Sequence, residues 1–123
     1  MTNLTKDAIL AAQDLKTESV KVPEWGGEVS VRTMTGTERD EVEAETFLAS
    51  GDAKSGDAKS RYRNLRARVL VRVLVNEKGE RLFGDSDIEA LGRKSTAAID
   101  RLFAVAQRLN ALTEQDVEAL LKN

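Results

Sequence analysis

Two alternating runs around a tight Pro/Gly turn constrain this chain more than any other feature. Val20 and Val22 alternate with Ser19 and Lys21, and Val29, Val31 and Thr33 alternate with Ser30 and Arg32. Pro23-Glu24-Trp25-Gly26-Gly27 lies between them. Period-2 alternation flanking such a loop predicts a β-hairpin over 20–33 with one buried face. A lone two-stranded hairpin is marginal in water. Its valine face must therefore pack on helices or join a sheet in another subunit.

Helical signals surround the hairpin. Thr5 can cap a short helix through about Leu15, on which Ile9, Ala12 and Leu15 form only a weak apolar stripe. A helix this short needs tertiary contacts to persist. Thr35 and Glu38 have capping-box spacing, followed by Val42, Thr46 and Ala49 on one face. Residues 58–75 satisfy two patterns. Tyr62, Leu65, Val69 and Val73 share a helical stripe, while Val69, Val71, Val73 and Val75 alternate as in a strand. The upstream Tyr62 and Leu65 favour a helix to about Leu74.

Asn76 to Gly79 reads as a turn, with Leu82 and Phe83 as an apolar anchor or short strand. Ser86 and Glu89 suggest a second capping box, with a helix through Leu91 that Gly92 stops. Ser95 caps the best helix, where Ile99, Leu102, Phe103, Ala106 and Leu109 form a sustained stripe. Thr113 starts a last helix bearing Val117, Leu120 and Leu121. The pentapeptide SGDAK occurs twice in tandem within 50–60, where its Gly, Ser and Asp content predicts a flexible loop.

These elements amount to one α+β domain spanning 1–123, an N-terminal β-hairpin packed against four to five helices. Apolar residues make up 41% of the 123, enough for one modest core. Aromatics are only 4%, so Leu, Val, Ile and Ala must build it. The chain has no Cys and no His. That excludes disulfides, thiolate chemistry, histidine metal sites and imidazole catalysis together. No enzyme activity, metal or cofactor is expected, and neither GxxxxGK[ST] nor GxGxxG occurs. The formal charge of −2, from 19 basic and 21 acidic residues, gives no global pull toward nucleic acid or anionic membrane. The N-terminus does not read as a signal peptide, and no run could cross a bilayer, so a cytoplasmic location is expected.

The sharpest local charge feature is basic. Lys59, Arg61, Arg63, Arg66, Arg68 and Arg72 occur with no acid among them. On a helix, Arg61, Arg68 and Arg72 would line one edge of the apolar stripe and Arg63 and Arg66 the other. Arginines so placed bury their stems and keep their charge in water. They can also pair with the acids at 38–45, meet a partner protein or bind phosphates. The last is disfavoured, because the basic, aromatic-bearing face of nucleic-acid binders is missing. Asp85, Asp87 and Glu89 resemble a fragment of a calcium loop but lack its other ligands, so capping roles explain them better. Trp25, at the hairpin tip, is either folded over the valine face or exposed as an interface anchor.

Four segments carry a family resemblance: DAILAAQDLK, VPEWGG with VRTMTGTERD, RLFGDSDIEALGRKS, and AIDRLFAVAQRLNAL. In this order they resemble the tail assembly chaperones of long-tailed phages and prophages, from about Thr5 to Leu121. The SGDAKSGDAKS loop departs from that pattern. The resemblance implies a non-enzymatic protein that coats the tape measure protein, keeps it soluble, and leaves as tail tube subunits polymerise. It also implies a minor longer form, made by a frameshift near the gene's end, that recruits tail tube protein. Lys122-Asn123 admits codons carrying such a slippery A-run.

The resemblance places the protein in the host cell cytoplasm and outside the mature virion. Membrane partners are not expected. The expected partner surface comprises Trp25, Arg61, Arg68, Arg72, Val117, Leu120 and Leu121. Two other readings stay open: a tail completion or connector protein retained in the virion, and a small nucleic-acid-binding regulator using Arg61–Arg72.

Overall fold

Alternation in the two runs becomes a real hairpin because each buries its valines on the same side. The computed structural model describes residues 3–52 and 64–110. Strand β1 (Thr17–Val22) pairs antiparallel with β2 (Gly27–Arg32), with Val20 opposite Val29 and Val22 opposite Gly27. Val20, Val22 and Val31 are buried, whereas Ser19 and Lys21 face solvent. Pro23–Trp25 closes the hairpin as a single 3-10 turn. Gly26 follows at φ 74 with its N–H bonded to Pro23 O at 3.1 Å, a left-handed geometry that suits glycine.

A third strand completes the sheet. β3 (Leu74–Val75) pairs antiparallel with β2, Val31 opposite Leu74 and Ser30 opposite Val75, giving the order β1-β2-β3. The hairpin thus joins a sheet within its own chain. The ambiguous run upstream is helical, as the period from Leu65 suggested, and forms α3 (Leu65–Val73). Leu74 is not its last turn, however. It adopts extended geometry and begins β3. Both patterns fitted because α3 is buried almost all round: Leu65, Ala67, Val69, Leu70, Val71, Arg72 and Val73 are all enclosed. A helix packed on every side loses the one-faced stripe that separates a helix from a strand.

Helices α2 (Gly36–Asp52), α4 (Ile88–Gly92) and α5 (Thr96–Leu109) pack around α3, and α5 also covers the inner face of β1 and β2. The expected α+β architecture is present. The Thr35–Glu38 capping box forms reciprocally, with Thr35 N donating to Glu38 Oε1 at 2.9 Å and Glu38 N to Thr35 Oγ1 at 3.1 Å. Ser95 accepts from Ala98 N at 3.2 Å, and Ala98, Ile99, Leu102, Phe103 and Ala106 of α5 are buried.

Several boundaries differ from expectation. Helix α1 is Lys6–Ala11, capped by Thr5 but ending before Leu15, and none of its residues is buried. Without a packed face, nothing extends it. Helix α2 runs three residues into the SGDAK tandem, so Ser50–Asp52 are helical. The remainder of that loop, residues 58–63 and the helix expected after Thr113 lie outside the described residues.

The cap before α4 is not Ser86 with Glu89. The carboxylate of Asp87 instead accepts from Gly84 N at 2.8 Å across a 3-10 turn, Asp85–Asp87. Gly92 is the last residue of α4, so the helix does stop there, one position beyond Leu91. Its requirement is space, since a Cβ there would collide with the Asn64 side-chain amide and touch Ala67.

Leu102 is fully enclosed at the α3–α5 contact. Leu102→Ala is expected to cost about 2–5 kcal/mol in urea denaturation. The half-exposed Leu82→Ala should change stability by less than about 1 kcal/mol.

Candidate partner-binding surface

The turn after β1 and the short helix α4 together build an apolar groove. Trp25, Phe83, Ala90 and Leu91 line it, with Asp87 and Lys94 beside them, and it encloses about 330 Å³. Leu91 is buried, while Trp25 and Phe83 are half-buried and packed against the core. Trp25 therefore packs against the core, and its remaining surface lines the groove. Its position is fixed by its neighbour. Glu24 is held by the Arg101 guanidinium on α5, with Nη2 donating to Oε2 at 2.9 Å. Phe83 and α4 were recognised in the sequence as an anchor and a helix. What no local pattern revealed was that the hairpin tip would come to lie beside them.

The basic residues occupy very different settings. Arg72 does not keep its charge in water; its side chain is 1% exposed. It donates from Nη2 to Glu45 Oε1 and Oε2 at 2.7 and 3.0 Å, and from Nη1 to Arg68 O at 2.7 Å. Its Nε lies 3.6 Å from Glu41, and Asp85 approaches Nη2 at 3.9 Å. Burial alone would push this guanidinium down, but the hydrogen bonds and charge of Glu45, with Asp85 and Glu41, outweigh it and raise its pKa. Arg72 is thus a buried structural cation, not an edge residue offered to a partner.

Arg68 is half-buried, and its Nη1 is enclosed without a hydrogen bond. Burial pushes its guanidinium down, with Glu45 opposing and Arg72 adding to the shift. Arg66 is exposed, pairs with Asp100 at 3.1 Å and lies over the Phe103 ring at 5.9 Å. Arg61, Val117, Leu120 and Leu121 lie outside the described residues. Among the described residues no group of three or more Asp, Glu, His or Cys could hold a metal ion, and no helix is long and apolar enough to cross a membrane.

Residues 3–120 match the sequence profile of a family described as phage tail assembly chaperone. The chain belongs to that family. Among solved structures, the bacteriophage HK97 tail assembly chaperone is similar, with a TM-score of 0.57 and 22% identity over 77% of this chain and 85% of that chain. At that identity the likeness speaks for the shared fold. No curated protein matches the sequence.

The chaperone's hairpin is clamped to α5 by two surface ion pairs, Glu18–Arg108 and Glu24–Arg101. The hydrogen bond from Arg108 holds the Glu18 carboxyl below its ordinary 4.5, and that from Arg101 does the same for Glu24. A depressed folded value means the contribution is complete above about pH 4.5 and fades as pH falls through the lower folded values. Both pairs are exposed, so their effect is modest. Comparing acid unfolding curves of the wild type with Glu18→Gln/Glu24→Gln should show a shallower loss of stability below pH 4.5 in the double variant. Arg72→Ala, by contrast, leaves Glu45 without its buried partner. It should destabilise by about 3–5 kcal/mol at neutral pH, measured by thermal denaturation.

Proposed function

We propose that this chaperone binds the tape measure protein during phage tail construction. It covers apolar helical stripes that would otherwise aggregate, and helps recruit tail tube subunits before it is released. It acts in the host cytoplasm and leaves before the virion is complete. The observation that carries this reading, beyond family membership, is the groove around Trp25. An apolar trough with an acid and a base beside it suits an amphipathic helix, whose large side chains enter the trough while its polar face stays wet. Of the residues first assigned to the partner surface, Trp25 is retained. Arg61, Arg68, Val117, Leu120 and Leu121 are proposed as further contacts. The regulator reading loses support, because Arg72 and Arg66 are already engaged by carboxylates.

The test uses purified chaperone as bait for a co-expressed tape measure protein. Wild type should capture it and raise its soluble yield. Ala90→Glu places a charge in the groove at an exposed position, and should lower capture at least about tenfold while the melting temperature holds. Undiminished capture by this variant would remove the groove from the interface. Capture of head–tail junction proteins without the tape measure protein would overturn the partner assignment itself.

A further inference from the structure

The groove at Trp25 is bordered by two charges that the protein leaves unpaired. Asp87 stands before α4 and Lys94 two residues beyond its end, and both line the trough. Their neighbours are already engaged: Asp85 with Arg81 at 3.1 Å, and Glu89 with Arg93 at 3.8 Å. Among the described residues, neither Asp87 nor Lys94 forms an ion pair. One Asp87 oxygen accepts from Gly84 N at 2.8 Å, which holds the carboxylate at the edge of the trough without neutralising it. Lys94 is exposed, and its N–H donates to Leu91 O at 3.0 Å, which fixes its backbone at the other end.

We infer that the groove selects helical segments of its partner by charge register: one acid and one base seven residues apart, with large apolar side chains at the third and fourth positions between them. This rests on the reading of the groove as the site that receives a helix of the partner. The spacing follows from α4. Seven positions separate Asp87 from Lys94, about 10 Å along a helix axis. A partner helix lying beside α4 covers the same length in the same number of residues. Its positions i, i+3, i+4 and i+7 share one face, so i and i+7 reach the two charges while i+3 and i+4 enter the trough. Either order of acid and base serves, because the helix can lie in either direction.

The groove discriminates by rejection as well as attraction. A segment flanked by two acids sets one of them against Asp87, and a segment flanked by two bases sets one against Lys94. Uncharged flanks gain neither pair. Of the apolar stripes on a long helical partner, those in this register are then the preferred seats, and the others hold by apolar contact alone.

Trp25 is the only tryptophan, so its emission reports on the groove directly. The full-length chaperone is titrated with designed Trp-free helical peptides of about 20 residues, with Leu at i+3 and i+4 and differing only at i and i+7. The Glu/Lys peptide should shift the Trp25 emission to the blue. It should bind at least about threefold more tightly than the Gln/Gln peptide at low salt, and the gap should close in about 1 M NaCl. Lys94→Glu changes an exposed side chain and should reverse the selection. The Lys/Lys peptide becomes the tightest ligand, and the Glu/Lys peptide loses about fivefold or more. Because the same peptides meet both proteins, differences in their own helicity cancel. Equal affinity for Glu/Lys and Gln/Gln, or an unchanged ranking on Lys94→Glu, would overturn the charge register and leave the groove as a helix site. A Trp25 emission that no peptide changes would overturn the register together with the reading of the groove on which it rests.

Discussion

One buried guanidinium organises this fold. Arg72 sits within α3, the helix that every other layer touches, and its charge must be met inside the protein. Glu41 and Glu45 meet it from α2, and Asp85 from the turn that precedes α4. Arg32 of β2 donates to the Arg72 carbonyl at 2.8 Å and to Glu38 at 2.5 Å, which ties the sheet and the start of α2 to the same point. Removing two charges from water is expensive, and attraction repays it only when geometry and hydrogen bonds are good. The network therefore adds less to stability than apolar packing would. What it fixes is placement: among the described side chains of α2, Val42 is the buried apolar one, and Glu41 and Glu45 fasten the helix to α3.

That placement propagates to the groove. Asp85 is shared between Arg72 and Arg81, and Arg81 Nε donates to Val71 O at 3.1 Å. The segment between β3 and α4 is thus fastened to α3 just before Phe83 and Asp87. On the other side, Arg101 of α5 fastens Glu24, one residue before Trp25. Each wall of the groove is held by a charge pair one or two residues from an aromatic side chain. The walls belong to segments far apart in the chain, and these pairs and the shared core keep them at a fixed separation.

Much of the fold was legible because the relevant signals are local. Alternation located the hairpin, Thr35 with Glu38 located the start of α2, and Ser95 with the Ile99–Leu109 stripe located α5. The failures were non-local. Val73 to Val75 could not be divided between helix and strand, because burial on every face erases periodicity and only pairing with Ser30 and Val31 decides the switch. Ser86 looked like a cap, but Asp87 reaches back to Gly84 more effectively. Gly92 does end α4, but no local pattern showed that its small size also serves a close approach to Asn64. Arg72 looked solvated because a run of arginines with no interleaved acid gives no hint of three carboxylates arriving from other elements. The groove was invisible for the same reason: Trp25 and Ala90 are separated by 65 positions, and no pattern within either segment refers to the other.

The groove's modest size bears on how such a protein could hold a long partner and still let it go. A trough of about 330 Å³ accepts one or two large side chains, which is small beside a standard protein interface. One such contact is weak and exchanges quickly. A long partner with repeated apolar stripes takes many such contacts, each weak and each independent of the rest. Release can then begin at an end, where a single weak contact gives way and the next copy becomes the end. The apolar wall that returns to water on release is small, which limits the aggregation risk of exposing it.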